Sequence, residues 1–222
     1  MTIQSIEVAE TVPKAHGADS NGIDADTATT KVVVQYNWSP GNGDGVLLCQ
    51  FAFGDVVLRY NVLAGNTQYS LYLHSDKAAK AKVYGNTLYN DRAKNLVYGY
   101  GTSLAASYDF TDNILYSTTA GASLTTSPTI RYDSTLYGGA TLPVPEGYAH
   151  AVRADPQFTG APDYTPGTPA SGSRLSGAYG LRVRAGSPAV NRGVTIGGNG
   201  GRDYAGSLLY TGKPDIGAFE VG

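Results

Sequence analysis

Short apolar runs alternate with polar, glycine-rich turns along most of the chain. The phrases VVVQYNWS, VVLRYNVL and AKVYGNTLY each place alternating apolar residues before a small polar corner that contains Asn37, Asn61 or Asn86. Period-two alternation over four to eight residues, bounded by Gly, Asn, Asp and Ser, is typical of short β-strands. The pattern therefore predicts strands separated by tight corners, and long helical stretches are missing.

The strand-and-corner phrase recurs at a nearly constant interval. Further copies are YDFTDNILY around Asn113 and TIRYDSTLY around Ser134, so successive anchors are 24, 25, 27 and 21 residues apart. A degenerate copy, IQSIEVAET, places Glu7 at the anchor position. One unit is too short to bury both faces of its strands, so parallel stacking of the units is expected. The Asn side chains would then form a hydrogen-bonded ladder and take the left-handed backbone of the corners.

This repeat predicts an all-β protein, a three-sided right-handed parallel β-helix in a single domain over residues 1–222. Five or six rungs are expected in residues 1–140, and an irregular last rung with a loop-rich C-terminal cap in residues 141–222. An antiparallel sandwich or jelly roll also has many short strands, but it does not need one corner phrase at a regular interval. In the cap, Ser187, Pro188 and Gly193 suit the start and the end of a short helix.

The C-terminal phrases carry a resemblance to a known superfamily. RADPQF at 153–158 is followed by LRVRAGSPAVNRGV, then by GGNGGRDYAG and KPDIGAFE. This series resembles the C-terminal end of bacterial pectate-lyase-like right-handed parallel β-helix proteins, and GIDADTATTKVVVQYNWSPGNGDGVLLCQF resembles an inner coil of that superfamily. The stretch 160–178 is less typical. Within the cap we interpret Arg202, Asp203 and Asp215 as polar residues that fix the loop.

The first 20 residues resemble a rung in mid-course more than an N-terminal cap, because IEVAETVPKAHGADSNG leads directly into GIDAD. β-Solenoids need a cap over the first rung. The sequence therefore favours the C-terminal portion of a longer protein over an unusual cap. An uncapped first rung would also be a template for self-association.

Composition and charge exclude several classes of function. Charged residues make up 15% of the chain and the net charge is −2, so there is no basic face of the kind that nucleic-acid binding usually needs. No apolar run approaches the length of a membrane span, and no signal peptide opens the chain. Cys49 is the only cysteine, which rules out an internal disulfide and zinc sites built from paired cysteines.

The resemblance implies a polysaccharide partner and a secreted or cell-surface location. Enzymes of this fold carry a groove across several rungs for a linear glycan, where lyases use a basic residue, often with calcium, and hydrolases use paired carboxylates. The sequence leaves two functions open: a polysaccharide lyase or glycoside hydrolase, and a non-catalytic carbohydrate-binding or structural module of the adhesin or tailspike kind. Calcium is the only cofactor considered, and no metal ligands are assigned.

Four residues are candidates for catalysis. In GIDAD, Asp24 and Asp26 are two positions apart and face the same side of a strand, and Asp44 precedes the equivalent strand of the next rung. Two carboxylates held close together raise the pKa of one of them, as a general acid requires. His74 closes SLYLHS next to Asp76, which can orient its imidazole. Turn hydrogen bonds or simple exposure to water remain the alternative for each of these residues.

Tyrosine occurs 17 times in the chain and recurs through the rungs. Outward phenol rings can form a platform for sugar rings, or they can be ordinary half-buried strand residues. The candidates are Tyr36, Tyr60, Tyr69, Tyr72, Tyr84, Tyr89, Tyr98 and Tyr100. His16 and His150 are isolated in the sequence and are interpreted as structural.

Overall fold

The chain winds into a three-sided parallel β-helix, which confirms the all-β solenoid predicted from the repeat. The computed structural model describes residues 1–12, 20–25, 30–48, 54–75, 77–93, 95–101, 104–139, 142–146, 150–210 and 212–221. Successive coils contain β1 (Thr2–Gln4) and β2 (Asn21–Ala25); β3 (Val32–Gln35), β4 (Trp38–Pro40) and β5 (Asp44–Leu48); β6 (Val56–Arg59), β7 (Val62–Ala64) and β8 (Tyr69–Leu73); β9 (Lys80–Tyr84), β10 (Thr87–Asn90) and β11 (Asn95–Gly99); β12 (Ser107–Thr111), β13 (Ile114–Ser117) and β14 (Ser123–Leu124); and β15 (Ile130–Asp133) and β16 (Leu136–Gly138). The last strand, β17 (Val152–Arg153), lies one coil further and pairs with β16.

Equivalent strands of neighbouring coils pair in parallel and form three sheets. Sheet 1 has the order β1-β3-β6-β9-β12-β15, sheet 2 the order β17-β16-β13-β10-β7-β4, and sheet 3 the order β14-β11-β8-β5-β2. Within the described residues, four coils place a strand in each of the three sheets, and incomplete coils precede and follow them. Each strand buries little by itself, so the stacked coils share one continuous interior.

Columns of like residues fill that interior. In sheet 1 the register places Val34, Leu58, Val83, Phe110 and Tyr132 in one line, and each is 0% exposed. The rings of Phe110 and Tyr132 lie 4.7 Å apart. Period-two alternation directs this column inward and the residues between its members outward, as the sequence pattern predicts.

A ladder of buried Asn side chains fixes the corner between sheets 1 and 2. The Oδ1 atom of each Asn accepts hydrogen bonds from both the backbone N and the Nδ2 of the Asn one coil earlier, at 2.9–3.0 Å. The column runs through Asn37, Asn61, Asn86 and Asn113, which are all 0% exposed. The ladder predicted from the sequence is therefore confirmed.

The left-handed backbone of this corner does not belong to the Asn residues, so that part of the prediction is wrong. Positive φ angles fall on the residue before each of them, including Tyr36 (58°), Tyr60 (50°), Gly85 (60°) and Asp112 (54°). Left-handed backbone is costly for a residue with a side chain, and it persists only where the surroundings enforce it. Here the Asn ladder on one side of the corner and the C-terminal segment on the other provide that constraint.

In the two repeat copies that lack an Asn, the residue beside the ladder is one position away from the predicted anchor, Glu7 or Ser134. The Oδ1 of Asn37 accepts a hydrogen bond from the backbone N of Ile6 at 3.2 Å, and Glu7 pairs instead with Trp38. Leu136 pairs with Ile114, which places Thr135, and not Ser134, beside Asn113. Neither unit contains an Asn at the corner, so the sequence lacks the residue that marks the register there.

A second, shorter ladder fixes the corner between sheets 2 and 3. Gly41 and Gly65 have φ angles of 65° and 62°, and each is followed by a fully buried Asn. The Oδ1 of Asn66 accepts a hydrogen bond from the backbone N of Asn42, and the Oδ1 of Asn42 accepts one from that of Thr11, both at 3.0 Å. A left-handed residue followed by Asn is therefore the local structure of both corners.

The loop-rich C-terminal segment, expected to cover the last rung, extends back along the outer face of sheet 2. Ala178, Leu181, Tyr204 and Phe219 pack against Trp38 and its neighbours, and Ile216 packs against Ile114 and Leu136. A 3-10 helix, Leu175–Leu181, lies in this segment. Residues 188–191 form turns and not the predicted helix, although Ser187 Oγ accepts a hydrogen bond from the backbone N of Ala189 at 3.1 Å.

Carboxylates fix the covering segment in place, as predicted for Asp203 and Asp215. Asp203 accepts hydrogen bonds from the backbone N of Ser207 at 2.7 Å and of Glu220 at 3.0 Å. Asp215 accepts bonds from the backbone N of Asn191 and of Val221, both at 2.7 Å. Each carboxylate therefore ties together two parts of a segment with little regular secondary structure.

Candidate functional site

Five aromatic rings form a patch on the outer face of sheet 3, which we call the aromatic platform. It consists of Tyr69, Tyr72, His74, Tyr98 and Tyr100. The rings of Tyr69 and Tyr98 stack with centroids 4.1 Å apart and planes 10° from parallel. Tyr100 lies over His74 with the ring centroids 4.4 Å apart, and it is 52% exposed.

Sheet register brings Tyr72 and Tyr98 together, whereas Tyr69 reaches Tyr98 diagonally across the two strands. Tyr69 pairs with Asn95, and Tyr72 pairs with Tyr98, on adjacent strands β8 and β11. Neighbouring parallel strands lie about 4.8 Å apart, so aromatic residues at equivalent positions are forced into contact. Tyrosines three residues apart on β8 also meet, since the centroids of Tyr69 and Tyr72 are 5.4 Å apart.

The orientation of the rings differs from a simple platform of exposed faces. Because Tyr69 and Tyr98 stack on each other, each covers one face of its partner. The rings of Tyr72 and Tyr98 are tilted by 41°, and those of Tyr72 and Tyr100 by 65°. The platform therefore offers tilted ring faces and edges together with phenol hydroxyls.

Burial keeps the phenols of Tyr69 and Tyr72 protonated. It raises the pKa of Tyr69 and of Tyr72 above the ordinary value, and the neighbouring tyrosines and the Asp44 carboxylate raise both further. A protonated phenol both donates and accepts hydrogen bonds. The platform can therefore bind hydroxyl-rich ligands over the neutral pH range.

Two of the three predicted aspartates lie on the same sheet, in the coils that precede the platform. Asp44 begins β5 and pairs with Tyr69, and it is buried to 5% exposure. Asp24 is exposed in β2 and pairs with Leu47, which in turn pairs with Tyr72. The structure thus places Asp24, Asp44 and His74 along one side of the solenoid.

Asp24 and Asp44 are not neighbours across the sheet. Asp44 pairs with Asn21, three positions before Asp24, and the Nδ2 of Asn21 donates to Asp24 Oδ2 at 3.3 Å. A strand rise of about 3.3 Å and a strand spacing of about 4.8 Å put the two Cα atoms about 11 Å apart. Asp26 and Asp76 lie outside the described residues, so the proposed Asp24–Asp26 and His74–Asp76 pairs remain predictions.

The platform accounts for only half of the tyrosines predicted to contact sugars. Tyr36, Tyr60 and Tyr84 line the corner between sheets 1 and 2, beneath the C-terminal segment, where the Tyr36 and Tyr60 rings stack at 6.2 Å. Arg59 links this corner to the covering layer, because it donates to the Tyr84 hydroxyl at 3.1 Å and to the carbonyl of Gly198 at 2.6 Å. These three rings are packing residues, and Tyr89 lies on sheet 2.

A charged groove of about 350 Å³ crosses the outer face of sheet 1. Register places Asp109 between Lys82 and Arg131, and the neighbouring column contains Thr111 and Asp133. His150 Nδ1 lies 3.0 Å from Asp133 Oδ1, and Arg131 Nη2 lies 2.8 Å from Asp133 Oδ2. This groove therefore brings together two cations and two carboxylates, and the His150 imidazole lies against one of those carboxylates.

Electrostatics keep Asp133 ionised. Burial alone would raise the pKa of Asp133, but hydrogen bonds from His150 and Ser134 outweigh it and the pKa is lowered. Sequence reasoning missed this arrangement, because His150 and Asp133 are 17 residues apart with an irregular segment between them. The only sequence signal is the alternation of charged residues on the outward positions of β9, β12 and β15.

The described part of the chain shows neither a metal site nor a membrane-spanning helix. There, no three His, Cys, Asp or Glu side chains converge on a position that could hold a metal ion. No helix in that part has the length and apolar character to cross a membrane. The calcium considered at the sequence level therefore has no assigned ligands.

Comparisons with known proteins give no match: neither a scan against protein-family models nor a search of curated proteins finds one. The fold and the geometry of the surfaces are therefore the basis for function.

Proposed function

We propose that the protein binds a linear polysaccharide along the outer face of sheet 3, with the aromatic platform as the contact surface. The observation that carries this proposal is the convergence of five rings from two adjacent coils on one outward face. Tyrosine combines an apolar ring with a polar tip, so it contacts both the C–H faces and the hydroxyls of a sugar. The resemblance to pectate-lyase-like proteins supports the same class of partner and a secreted or cell-surface location.

Charge favours a neutral glycan at this surface. Strand pairing places Asp44 next to Tyr69 of the platform, and it places Asp24 two coils from Tyr72, in the column Asp24–Leu47–Tyr72. Carboxylates accept hydrogen bonds from sugar hydroxyls. The same carboxylates repel the acid groups of a polyuronate. The platform is therefore better suited to a neutral chain such as a xylan or a mannan than to pectate.

The test is affinity electrophoresis through gels that contain xylan, mannan or polygalacturonate. We expect the wild-type protein to be retarded in a neutral glycan, and the double variant Tyr72→Ala/Tyr100→Ala to lose at least about tenfold in affinity, since each truncation removes contact worth about 1 kcal/mol. Tyr179→Ala is the matched control, because Tyr179 is a partly exposed tyrosine of the C-terminal segment. Unchanged retardation of the double variant, with an unaltered circular dichroism spectrum, would refute the proposal.

A second candidate function is β-elimination of an acidic polysaccharide in the charged groove of sheet 1. The observation that favours it is the His150–Asp133 contact beside Lys82 and Arg131. The cations would pair with the uronate carboxylate, and the imidazole of His150 would take the proton from the adjacent carbon. The C–C double bond then forms as the C–O bond to the next sugar breaks, and the leaving oxygen gains a proton from water.

Lyase and binding functions give different results in one assay series. Elimination produces unsaturated ends that absorb in the ultraviolet, and hydrolysis produces reducing ends without that absorbance. We expect His150→Ala to abolish ultraviolet product on polygalacturonate and His74→Ala to leave it unchanged. Absence of ultraviolet product from every acidic glycan would refute the second candidate and leave the first intact.

A further inference from the structure

The outer face of sheet 2 carries a cleft that neither the platform nor the charged groove uses. It encloses about 500 Å³ beside Tyr89, Tyr116 and Phe158, and it adjoins a second cavity of about 310 Å³ that shares Tyr116 and Asp155. Volumes of 300–1,000 Å³ are typical of sites for small ligands. The cleft lies where the C-terminal segment meets sheet 2, with Phe158 of that segment packed against Tyr89 of β10 and Tyr116 of β13.

Three aromatic residues build the apolar wall of the cleft. Tyr89 and Tyr116 pair across β10 and β13, and their rings stack 5.3 Å apart at 12°. The ring of Phe158 presents its edge to both, with centroids 6.0 Å and 5.4 Å away. Next in the column is Gly138, where a Cβ would lie 2.6 Å from Tyr116 Cδ2, so the ring extends over a position without a side chain.

Polar side chains of opposite charge form the rim. Asp155, Gln157 and Arg184 line the cleft and are exposed. A backbone bridge between Phe158 and Val183 and a hydrogen bond from Arg184 N to Gln157 O at 3.1 Å hold their two segments side by side. Asp155 Oδ1 accepts a hydrogen bond from Gln157 N at 2.8 Å, and Ser187 Oγ donates to Pro156 O at 2.7 Å. The rim is thus fixed before a ligand arrives.

We infer that this cleft is a second carbohydrate site, which takes one or two neutral sugar units such as a chain end or a side branch. A carboxylate accepts hydrogen bonds from two hydroxyls, a guanidinium donates to two oxygens, and an amide does both. One cation and one anion on the rim match a ligand without net charge. A flat heterocycle is disfavoured, because the Tyr89 and Tyr116 rings stack on each other and leave no gap between parallel faces.

The cleft shares no residue with the aromatic platform, so the two sites are separable by mutation. The probes are the methyl glycosides of glucose, galactose, mannose and N-acetylglucosamine, with adenosine as the flat heterocycle. Binding is measured by saturation-transfer NMR and by titration. We expect at least one glycoside to bind the wild-type protein, and both Arg184→Ala and Asp155→Asn to weaken it about tenfold or more, which corresponds to about 1.4 kcal/mol.

Leu208→Ala, at an exposed residue that lines neither the cleft nor the platform, is the control and should bind the glycoside as the wild-type protein does. The platform variant Tyr72→Ala/Tyr100→Ala is measured in parallel, so that any glycoside binding at the platform is recognised as such. If this platform variant instead loses glycoside binding while the cleft variants retain it, the second site is refuted and the platform alone is supported. Binding of adenosine in place of every glycoside, or of no probe at all, also overturns the inference. The NMR spectrum of each variant in the absence of ligand verifies that it is folded.

Discussion

Asn61 accepts two hydrogen bonds from Asn37 on a single oxygen: its Oδ1 lies 3.0 Å from the backbone N and 2.9 Å from the Nδ2 of Asn37. The Nδ2 of Asn61 in turn donates to Asn86 Oδ1 at 3.0 Å. One side chain thus connects three successive coils.

Removing this side chain should destabilise the whole solenoid. Asn61→Ala leaves buried donors and acceptors without partners in three coils, and each such group costs about 1–3 kcal/mol. We expect a loss of about 3–5 kcal/mol in the free energy of unfolding, measured by urea denaturation. Thr118→Ala, at an exposed position after β13, is the control and should change the free energy by less than about 0.5 kcal/mol. An equal effect of the two substitutions would mean that the ladder does not stabilise the fold.

Substitution of Gly85 should separate backbone strain from side-chain packing. Gly85 has a φ of 60°, and a Cβ there would lie 2.5 Å from Tyr60 Cε1. Gly121 has a φ of 71° with nothing within 4 Å of a built Cβ. We expect Gly121→Ala to cost about 1 kcal/mol from strain alone, and Gly85→Ala to cost about 2–4 kcal/mol in thermal unfolding. Similar costs would show that the Tyr60 ring moves aside freely.

Two carboxyls with raised pKa values, the buried Asp112 and the half-buried Glu220, should make the protein less stable as the pH rises towards 8. Burial, together with the charges of Asp133 and Glu220, raises the pKa of Asp112 to about 7 despite the bonds from Val194 N to both carboxylate oxygens at 3.0 Å. Burial and the nearby Asp215 raise the pKa of Glu220 to about 7 as well. Between the unfolded and folded pKa values the folded state binds more protons, so stability falls with increasing pH in that window.

Asp112→Asn should flatten this dependence. Each titrating carboxyl contributes at most about 1.4 kcal/mol per pH unit to the slope, and the amide removes one such contribution. The measurement is the free energy of unfolding in urea at pH 5, 6, 7 and 8. Asp155→Asn, at an exposed site, is the control. A slope for Asp112→Asn that equals the wild-type slope would contradict the assignment.

The fluorescence of the single tryptophan, Trp38, reports on the packing of the C-terminal segment over sheet 2. Trp38 is 0% exposed, and the ring of Tyr164 lies over it at 6.3 Å and 11°. Arg92 packs against the other side of Tyr164, with its Cζ 4.6 Å from the ring centroid. We expect Tyr164→Ala to shift Trp38 fluorescence to the red and to increase quenching by acrylamide, while Leu208→Ala, at a residue 63% exposed, leaves both unchanged. Unchanged fluorescence of Tyr164→Ala would mean that other residues shield the indole.

The sequence predicts the features that repeat, because parallel stacking requires equivalent residues at equivalent positions. The strands, the inward columns and the Asn ladder are all of this kind. The left-handed backbone was predicted at the Asn residues but lies on the residues before them, for a physical reason. The Asn residues use both their backbone N and their side-chain amide in the hydrogen bonds of the ladder. The preceding residue takes the turn instead, even where it is Tyr36 or Tyr60.

Surface features depend on contacts that no local pattern encodes. Tyrosines of similar spacing divide among three faces once the sheets form, so the sequence cannot tell Tyr72 in the platform from Tyr60 under the C-terminal segment. The contact of His150 with Asp133, and of Phe158 with Tyr116, joins the regular coils to the irregular segment that follows them. Such contacts require knowledge of the path of that segment.

Only two residues separate sheet 1 from sheet 2 in every complete coil, whereas the other turns vary in length. Asn61 and Asn86, the central members of the ladder, each bond within their own coil and to the coils on either side. A gene segment that encodes one coil, such as residues 61–85, can therefore be duplicated or deleted in frame, and the Asn ladder will still connect the coils on either side. The length of the solenoid is then set by the number of coils, a quantity that evolution or an engineer can adjust.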